Sequence, residues 1–182
     1  KKVNLKDQVV AQIGTGSSGI QVAPEIAKIV KKLVIFQRTP NFSIPARNKK
    51  LTKKFISIFK KDYEKIKKRL RKTPGGHTFS FPKRSVFDFT IRERNKIYEK
   101  AWRTGSLSFR ACFGDITKSF KANKTASKFI KEKILDTVND KKVAKILTNF
   151  DHPFTSKRPT LNTNYYETFN RKNVELIDLK TN

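Results

Sequence analysis

The first forty residues alternate between two hydrophobic periodicities. A β-branched run at 9–13 ends at Gly14, and residues 33–36 form a second apolar run. Between them, apolar residues recur at helical spacing from Ile20 up to Lys32. The pattern predicts a strand, a glycine turn, a helix and a second strand, which is half of a parallel α/β unit.

The middle of the chain, residues 49–149, has mainly helical periodicity. One helix is predicted from Lys49 to Lys72, where TPGG at 73–76 breaks the pattern. Its apolar stripe consists of Leu51, Phe55, Phe59, Tyr63, Ile66 and Leu70. Further helices are predicted at 91–104, 123–139 and 141–148, and the aromatic-rich segment 77–89 is predicted as an extended loop. Because no strands alternate with these helices, we expect this part to be an insertion between two parts of one α/β domain.

The last part of the chain, residues 150–182, begins with a polar loop that contains two prolines. A single helical turn is predicted at Tyr165–Phe169, and the alternation at 174–179 predicts a strand that can rejoin the first sheet. We therefore predict an α/β fold, in which a Rossmann-like parallel sheet from residues 1–48 and 150–182 is interrupted by a mostly helical insertion at 49–149.

A G-x-G-x-x-G motif lies between the first strand and the helix, formed by Gly14, Thr15, Gly16, Ser17, Ser18 and Gly19. Gly14 permits the tight turn, Gly16 lets a pyrophosphate approach the backbone, and Gly19 allows the helix to pack closely on the strand. The helix N-terminus offers N–H groups to phosphates, and the two serines can cap it or donate hydroxyls. We predict that the turn binds a dinucleotide. A glycine turn that serves only packing is the alternative.

The end of the second strand indicates which dinucleotide is bound. NAD- and FAD-binding units usually place a carboxylate there to hold the ribose 2′-hydroxyl. Here Arg38, 24 positions after Gly14, and Thr39 take that place. A guanidinium matches a phosphate dianion, and the threonine adds a hydroxyl donor. The pattern therefore favours NADP, through its 2′-phosphate, over NAD or FAD at this site.

The composition limits the other classes of partner. The 182 residues carry a formal net charge of +27, but the basic residues are spread along the chain without an aromatic RNA-binding motif or a zinc finger, so we predict no nucleic-acid partner. One Cys and two His leave little from which to build a metal site, and none is predicted. No apolar run of about 18 residues and no signal-like N-terminus occur, so we expect no membrane segment and a cytoplasmic location.

Several sequence blocks together resemble one family. They are IGTGSSGIQVAPEIA, FQRTPNFSIPARN, IRERNKIYEKAW, FIKEKILDTV, DHPFTSKRPTLNTNYYETFNR and NVELIDLK. These blocks resemble the NADPH-binding region of the class B flavin-dependent monooxygenases, and most closely the Baeyer–Villiger monooxygenases of the cyclohexanone and phenylacetone type. The likeness covers essentially the whole chain.

The resemblance implies an enzyme that uses NADPH and FAD to insert one oxygen atom from O2 into a ketone, through a C4a-peroxyflavin, giving an ester or lactone. It also implies that FAD is bound mainly by regions absent from this chain, which lacks the FAD-type glycine motif and the fingerprint F-x-G-x-x-x-H-x-x-x-W. We therefore expect an internal fragment, incomplete and inactive without its FAD domain. Its further partners would be a small ketone or heteroatom substrate and O2.

The step Lys157-Arg158-Pro159 matches the K-R-P motif of that family. By itself, a basic pair in a proline-flanked loop is weak evidence, because this chain contains many basic pairs. The resemblance implies that Arg158 is catalytic, lying against the flavin and nicotinamide, where its fixed charge assists oxygenation. It implies that Lys157 reaches the ribose and 2′-phosphate of NADP, and it adds Gln21 to the cofactor-binding residues.

Two alternatives remain open. The first is an N-hydroxylating or sulfur-oxygenating relative within the same flavin-dependent class. The second, from another class, is a non-enzymatic module that binds nucleic acid or another polyanion through its basic surface. For the remaining reactive side chains we expect structural roles: a loop hydrogen bond for His152 and a buried small residue at Cys112.

Overall fold

A computed structural model describes residues 3–181, except for the side chain of Pro74. Residues 1, 2 and 182, the outer ends of the predicted segments 1–48 and 150–182, lie outside the described residues. The strands are β1 (Val9–Ile13), β2 (Lys32–Gln37), β3 (Ser43–Pro45), β4 (Thr160–Asn162) and β5 (Val174–Asp178). The helices are α1 (Ser17–Ile26), α2 (Lys53–Lys61), α3 (Tyr63–Arg71), α4 (Ile91–Thr104), α5 (Phe120–Thr137), α6 (Lys141–Leu147) and α7 (Tyr165–Thr168).

The main sheet has the order β1-β2-β5, with every strand parallel to its neighbour. The central strand β2 is the apolar one: Leu33 and Ile35 are fully buried, and α1 packs Ile20 and Ala23 into the same core. Strand β5 returns to the sheet after more than 130 residues and pairs with β2 in the register Gln37↔Asp178. This arrangement confirms the predicted α/β class and the return of the last strand to the first sheet.

A second, two-stranded parallel sheet was not expected from the sequence. Strand β3 lies in the segment 41–48, for which no strand was predicted, and β4 lies in the segment predicted as a polar loop. The two pair in the register Ser43↔Thr160. Each strand has only three residues, Ser-Ile-Pro and Thr-Leu-Asn, which is too short a run to reveal the alternation that marks a strand in a sequence. Only the long-range pairing makes them strands.

Helix α1 ends at Ile26 and does not continue to Lys32 as predicted. Residues 27–30 form a turn, and the amide of Asn173 donates hydrogen bonds to the carbonyls of Ala27 and Val30, both at 3.0 Å. Ala27 and Val30 in this turn are buried like the apolar side chains of the helix, which is why the hydrophobic pattern runs past the helix end. Asn173 satisfies the carbonyls that an early helix end leaves open.

The single helix predicted at 49–72 is also wrong, because two helices meet at Asp62, whose φ and ψ are −96° and 8°. Helix α2 begins only at Lys53, where the hydroxyl of Thr52 accepts a hydrogen bond from the Phe55 amide at 3.1 Å. The other predicted helices are confirmed within three residues at each end. Within the described residues, neither α2 nor α3 buries a side chain.

The core of the helical part is aromatic. The ring of Tyr98 contacts the rings of Phe109, Phe113 and Phe129 at centroid distances of 5.2–5.5 Å. Such pairs add about 0.5–1.5 kcal/mol each beyond the area that they bury. The cluster continues through Phe109 to Phe154, at 5.8 Å, and so joins the helical part to the loop before β4.

Candidate functional site

The glycine turn continues the hydrogen bonding of the sheet beyond β1. The amide of Gly14 donates to the carbonyl of Phe36 at 2.9 Å, so the turn begins at the carboxyl end of the sheet, beside the end of β2. Gly14 has φ +94°, a region that side chains disfavour. The carboxyl edge of a parallel sheet is where α/β proteins bind their ligands.

The three glycines of the motif have different surroundings. A methyl group added at Gly14 or Gly16 would meet no atom within 4 Å, so the space above these two residues is open. A methyl group added at Gly19 would lie 2.6 Å from the carbonyl oxygen of Gly14. Gly19 is therefore required by packing, whereas Gly14 and Gly16 leave room for a group outside the protein to approach the backbone.

The N-terminus of α1 faces this open space without a cap from the protein. Gly16 stands at the N-cap and offers no side-chain acceptor, and the first helical hydrogen bond runs from Ile20 N to Gly16 O at 3.0 Å. The amides of residues 17–19 are thus available to an anion, as they are at helix ends that bind phosphate. Ser17, Ser18 and Gln21 are exposed on the same first turns. Thr15 differs, because its buried hydroxyl lies 3.3 Å from Gln37 Oε1.

Arg38 and Thr39 lie at the same edge of the sheet as the glycine turn. Ile13 pairs with Phe36 in the register of β1 and β2, so Gly14 and Arg38 follow neighbouring parallel strands at their carboxyl ends. Arg38 is exposed and Thr39 is half-buried. The sheet therefore brings together the phosphate-binding turn and the basic residue that were predicted to act on one dinucleotide.

Hydrogen bonds tie the K-R-P loop to the segment that follows β2. The side-chain amide of Asn41 donates to the backbone carbonyl of Arg158 at 3.1 Å, and its oxygen lies 3.2 Å from His152 Nε2. The other ring nitrogen of His152 lies 2.7 Å from Asp151 Oδ1. Asn41 thereby fixes the backbone at Arg158, while the exposed guanidinium stays available. His152 has the structural role that the sequence suggested.

Asp151 collects three cationic or hydrogen-bonding neighbours. Lys157 Nζ lies 3.8 Å from Oδ1, and Lys180 Nζ lies 3.4 Å from Oδ2. The hydrogen bond from His152, followed by the charges of Lys157 and Lys180, lowers the pKa of Asp151 to about 2. The carboxylate is therefore ionised at all physiological pH values, and it anchors Lys157, the residue predicted to reach NADP.

A cluster around His77 was missed by the sequence reasoning. His77 Nε2 accepts a hydrogen bond from Arg110, and the His77 ring stacks on Phe79 with centroids 4.7 Å apart. Desolvation, and then the positive charges of Arg110 and Arg158, lower the pKa of His77. Because arginine can only donate, His77 is held neutral here. The segment 77–89 has no helical periodicity, so only the tertiary structure reveals that its rings surround the guanidinium of Arg110.

The remaining reactive side chains serve the structure. Burial raises the pKa of the Cys112 thiol to about 12, which leaves it unreactive. Asp115 accepts hydrogen bonds from the Ser85 hydroxyl and the Val86 amide, at 2.5 and 3.0 Å. Among residues 3–181, no group of three or more His, Cys, Asp or Glu side chains could hold a metal ion. No helix in that range is both long enough and apolar enough to cross a membrane.

We predict that Gly19→Ala will affect stability, whereas Gly16→Ala will affect NADPH binding. Gly19→Ala should lower the free energy of unfolding by about 1–3 kcal/mol, because its methyl group overlaps the Gly14 carbonyl. Gly16→Ala should leave stability nearly unchanged and weaken NADPH binding, because its methyl group enters only the open space. Urea unfolding and titration calorimetry measure the two effects. Tight NADPH binding by a stable Gly16→Ala variant would contradict the placement of the phosphates.

A second prediction concerns the pKa of Asp151. The carboxyl should titrate near pH 2, well below its usual value of 3.8, because His152 and the two lysines favour the charged form. The stabilisation from this carboxylate is present above pH 3.8 and is lost as the pH falls towards 2. Carbon NMR of the side chain gives the midpoint. His152→Ala should move the midpoint towards 3.8 by more than Lys157→Gln does, and the reverse order would refute the assigned cause.

Comparison with known proteins shows which family shares this arrangement. No family model matches the chain. Cyclohexanone 1,2-monooxygenase of Acinetobacter is 36% identical over 183 residues, which span 99% of this chain and 33% of that enzyme. Phenazine N-monooxygenase of Lysobacter antibioticus is 33% identical over 183 residues, again 99% of this chain and 33% of the relative.

Solved structures show the same similarity at the level of the fold. A steroid monooxygenase in its oxidised form, bound to NADP, superposes with a TM-score of 0.92 at 39% identity. The superposition covers 98% of this chain and 34% of that one. The chain thus spans about a third of the length of the relatives that it matches. Over its length, the chain is similar in sequence and in fold to one part of the Baeyer–Villiger and related monooxygenases.

Proposed function

We propose that this chain is the NADPH-binding part of an FAD-dependent monooxygenase that inserts one oxygen atom from O2 into a ketone, giving an ester or lactone. The observation that carries the proposal is the shared sheet edge, where an open glycine turn and Arg38 follow neighbouring parallel strands. The relatives support the activity, since those that match over the whole chain include the cyclohexanone monooxygenase.

The proposed domain organisation follows from the sheet. Residues 1–48 and 150–182 would form the NADP-binding domain, and residues 49–149 would form the helical insertion. We propose that FAD is bound mainly by a domain outside this chain. Strand β1 supports this, because Val9 and Ile13 are 65% and 86% exposed, whereas parallel sheets are normally covered on both faces. An apolar face of this kind suits a further packing partner.

The residues at the edge have distinct tasks in this proposal. The amides at the start of α1, with the hydroxyls of Ser17 and Ser18, would hold the pyrophosphate over Gly14 and Gly16. Gln21 would line the same site. Arg38 and Thr39 would bind the 2′-phosphate, where a guanidinium supplies two parallel charge-assisted hydrogen bonds. NADPH supplies the reducing equivalents and FAD activates O2 once both are bound.

Lys157 would reach the ribose and 2′-phosphate from the opposite side of the site. Its side chain is more than half exposed, and it shares Asp151 with Lys180. Lys180 therefore keeps the carboxylate paired if Lys157 turns towards an anion. The movement costs little, because exposed ion pairs contribute only about 0–1 kcal/mol.

Arg158 is proposed as the catalytic residue. Its backbone is fixed by Asn41, its side chain is exposed, and its positive charge contributes to the lowered pKa of His77. A fixed cation in such surroundings stabilises negative charge that develops on an oxygen during the reaction.

Oxygenation of nitrogen or sulfur is the second candidate reaction. The specific observation in its favour is that a phenazine N-monooxygenase matches the chain over its whole length, at nearly the same identity as the ketone-oxidising relative. A panel of ketones, amines and sulfides, given to the full-length enzyme, separates the two reactions.

A cytoplasmic location of the protein stays a prediction.

We predict that Arg38→Ala will change cofactor selectivity. Losing a charge-assisted hydrogen bond to the 2′-phosphate should weaken NADPH binding about ten- to a hundredfold, equivalent to about 1.5–3 kcal/mol. NADH lacks that phosphate, so its affinity should hardly change. Titration calorimetry measures both, with Arg92→Ala on the exposed face of α4 as the control for net charge. Equal losses for NADPH and NADH would show that Arg38 does not contact the 2′-phosphate.

We further predict that Arg158→Ala in the full-length protein will lower the rate of ester formation about 10²–10³-fold. NADPH and FAD should still bind, because Asn41 holds the backbone of residue 158 and not its side chain. Arg158→Lys should restore only part of the rate, since lysine lacks the planar fork. Product formation and cofactor titration give the two readouts, and Arg171→Ala is the control. Parental rates in Arg158→Ala would remove Arg158 from the reaction.

A further inference from the structure

The most basic part of the molecule is the stretch 49–72, which contains α2 and α3 and is called here the lysine-rich surface. It holds twelve of the 42 lysines and arginines in 24 of the 182 positions. Only two carboxylates lie in it, so its net formal charge is +10. This density is about twice that of the whole chain. A uniform use of lysine on the surface therefore does not explain it.

The same stretch exposes the first four residues of the apolar stripe that the sequence predicted. Leu51, Phe55, Phe59 and Tyr63 are 42–67% exposed. They are not scattered: the rings of Phe55 and Phe59 stack at 6.1 Å, and Phe59 meets Tyr63 edge-on at 6.2 Å. With Ile56, they line one open apolar groove along α2. Single exposed apolar residues need no explanation, but a continuous aromatic row does.

Local interactions, and not tertiary packing, hold the two helices. Thr52 caps α2, and the carboxylates of Asp62 and Glu64 each pair with a lysine three positions later, at 3.6 and 3.5 Å. A hydrogen bond at 3.0 Å from Arg69 to the carbonyl of Thr78 joins α3 to the following loop. The row of rings therefore stands on a formed helix whose apolar face is open among the described residues.

We propose that the lysine-rich surface binds the surface of an anionic phospholipid bilayer. Lysines that flank an aromatic row are what an interfacial helix requires: the rings enter the boundary between headgroups and acyl chains, and the cations bind the headgroup phosphates. Each lysine near such a surface strengthens binding about fivefold. The helices lie on the bilayer and do not cross it, in keeping with the absence of a spanning helix in residues 3–181.

Charge and apolar area together favour lipid over the other possible occupants. Duplex nucleic acid would engage the lysines but offers no apolar layer for Phe55 and Phe59. A second copy of the surface would bring two groups of ten net positive charges together, which is repulsive. A covering protein segment would account for the rings, but not for the accumulation of lysines around them.

Vesicle co-sedimentation of the full-length protein tests the proposal. Vesicles of phosphatidylglycerol and phosphatidylcholine in equal parts should pellet the protein, and pure phosphatidylcholine should bind it at least about tenfold more weakly. Phe55→Ser combined with Phe59→Ser should weaken binding to the anionic vesicles about tenfold or more. Lys53→Gln combined with Lys54→Gln should weaken it about twentyfold, and the loss should shrink at high salt.

Matched controls come from other helices of the chain. Lys142→Gln with Lys145→Gln removes two exposed lysines from α6, and Ile91→Ser with Phe120→Ser removes two exposed apolar side chains. Both controls should bind vesicles as the parent does. NADPH affinity should be unchanged in all four variants, which separates this test from that of the proposed function.

Three results would overturn the proposal. The first is failure of the parent protein to pellet with anionic vesicles, which would mean that another part of the protein or a second copy covers the surface. The second is vesicle binding that the paired phenylalanine substitutions leave unchanged, together with equally strong duplex DNA binding, which would indicate a general polyanion site. The third is an equal loss in the α6 lysine control, which would assign binding to net charge alone.

Discussion

The packing of Phe42, five residues after the end of β2, determines how the segment after Arg38 meets the K-R-P loop. This residue is 1% exposed, and its ring stacks on Phe150 at 3.8 Å and meets Phe154 edge-on at 5.4 Å. Its carbonyl accepts a hydrogen bond from the amide of Thr160 at 3.0 Å, which starts the pairing of β3 with β4. One residue therefore joins the segment after Arg38 to both ends of the K-R-P loop.

This junction closes a loop of more than a hundred residues, because Ser43 pairs with Thr160. Side chains reinforce it: the amide of Asn162 donates to the Ser43 hydroxyl at 2.9 Å, and Asn123 of α5 donates to the carbonyl of Phe154 at 2.7 Å. Buried amides satisfied in this way are costly to break, since each lost partner leaves a desolvated polar group. The helical part can therefore be large without disturbing the distance between the glycine turn and Arg158.

The electrostatics of the site depend on the few carboxylates of the chain, which has 15 acidic residues and 42 basic ones. Asp151 is placed where it orients His152 and two lysines at once, and its low pKa reflects that concentration of donors. The lysine-rich surface represents the opposite case, since its two acids pair locally and leave most of the cations facing solvent. Lysines are therefore held in fixed ion pairs around Asp151, whereas most of those on the lysine-rich surface have no carboxylate partner nearby among the described residues and face solvent.

The sequence by itself determined the features that depend on neighbours along the chain. The β1–α1–β2 unit followed from periodicity. The spacing of Gly14, Gly16 and Gly19 is the basis of the predicted phosphate-binding turn, and Arg38 at a strand end is the basis of the predicted preference for NADP. The family resemblance could be recognised in the sequence because each of its motifs is a continuous segment of the chain. Helix boundaries were less certain: the buried turn after Ile26 keeps the helical pattern, and Asp62 breaks a helix without Gly or Pro.

Only the tertiary structure decided which distant segments meet. Strands β3 and β4 carry no strand pattern, and they exist because each satisfies the other's backbone. The bonds from Asn41 to Arg158 and to His152 join residues more than 110 positions apart, and the approach of Arg110 to His77 joins an unpatterned loop to a helical turn. Nor could periodicity tell that the stripe of α2 is exposed. An amphipathic pattern fixes which side of a helix is apolar, whereas the rest of the fold decides whether anything packs against it.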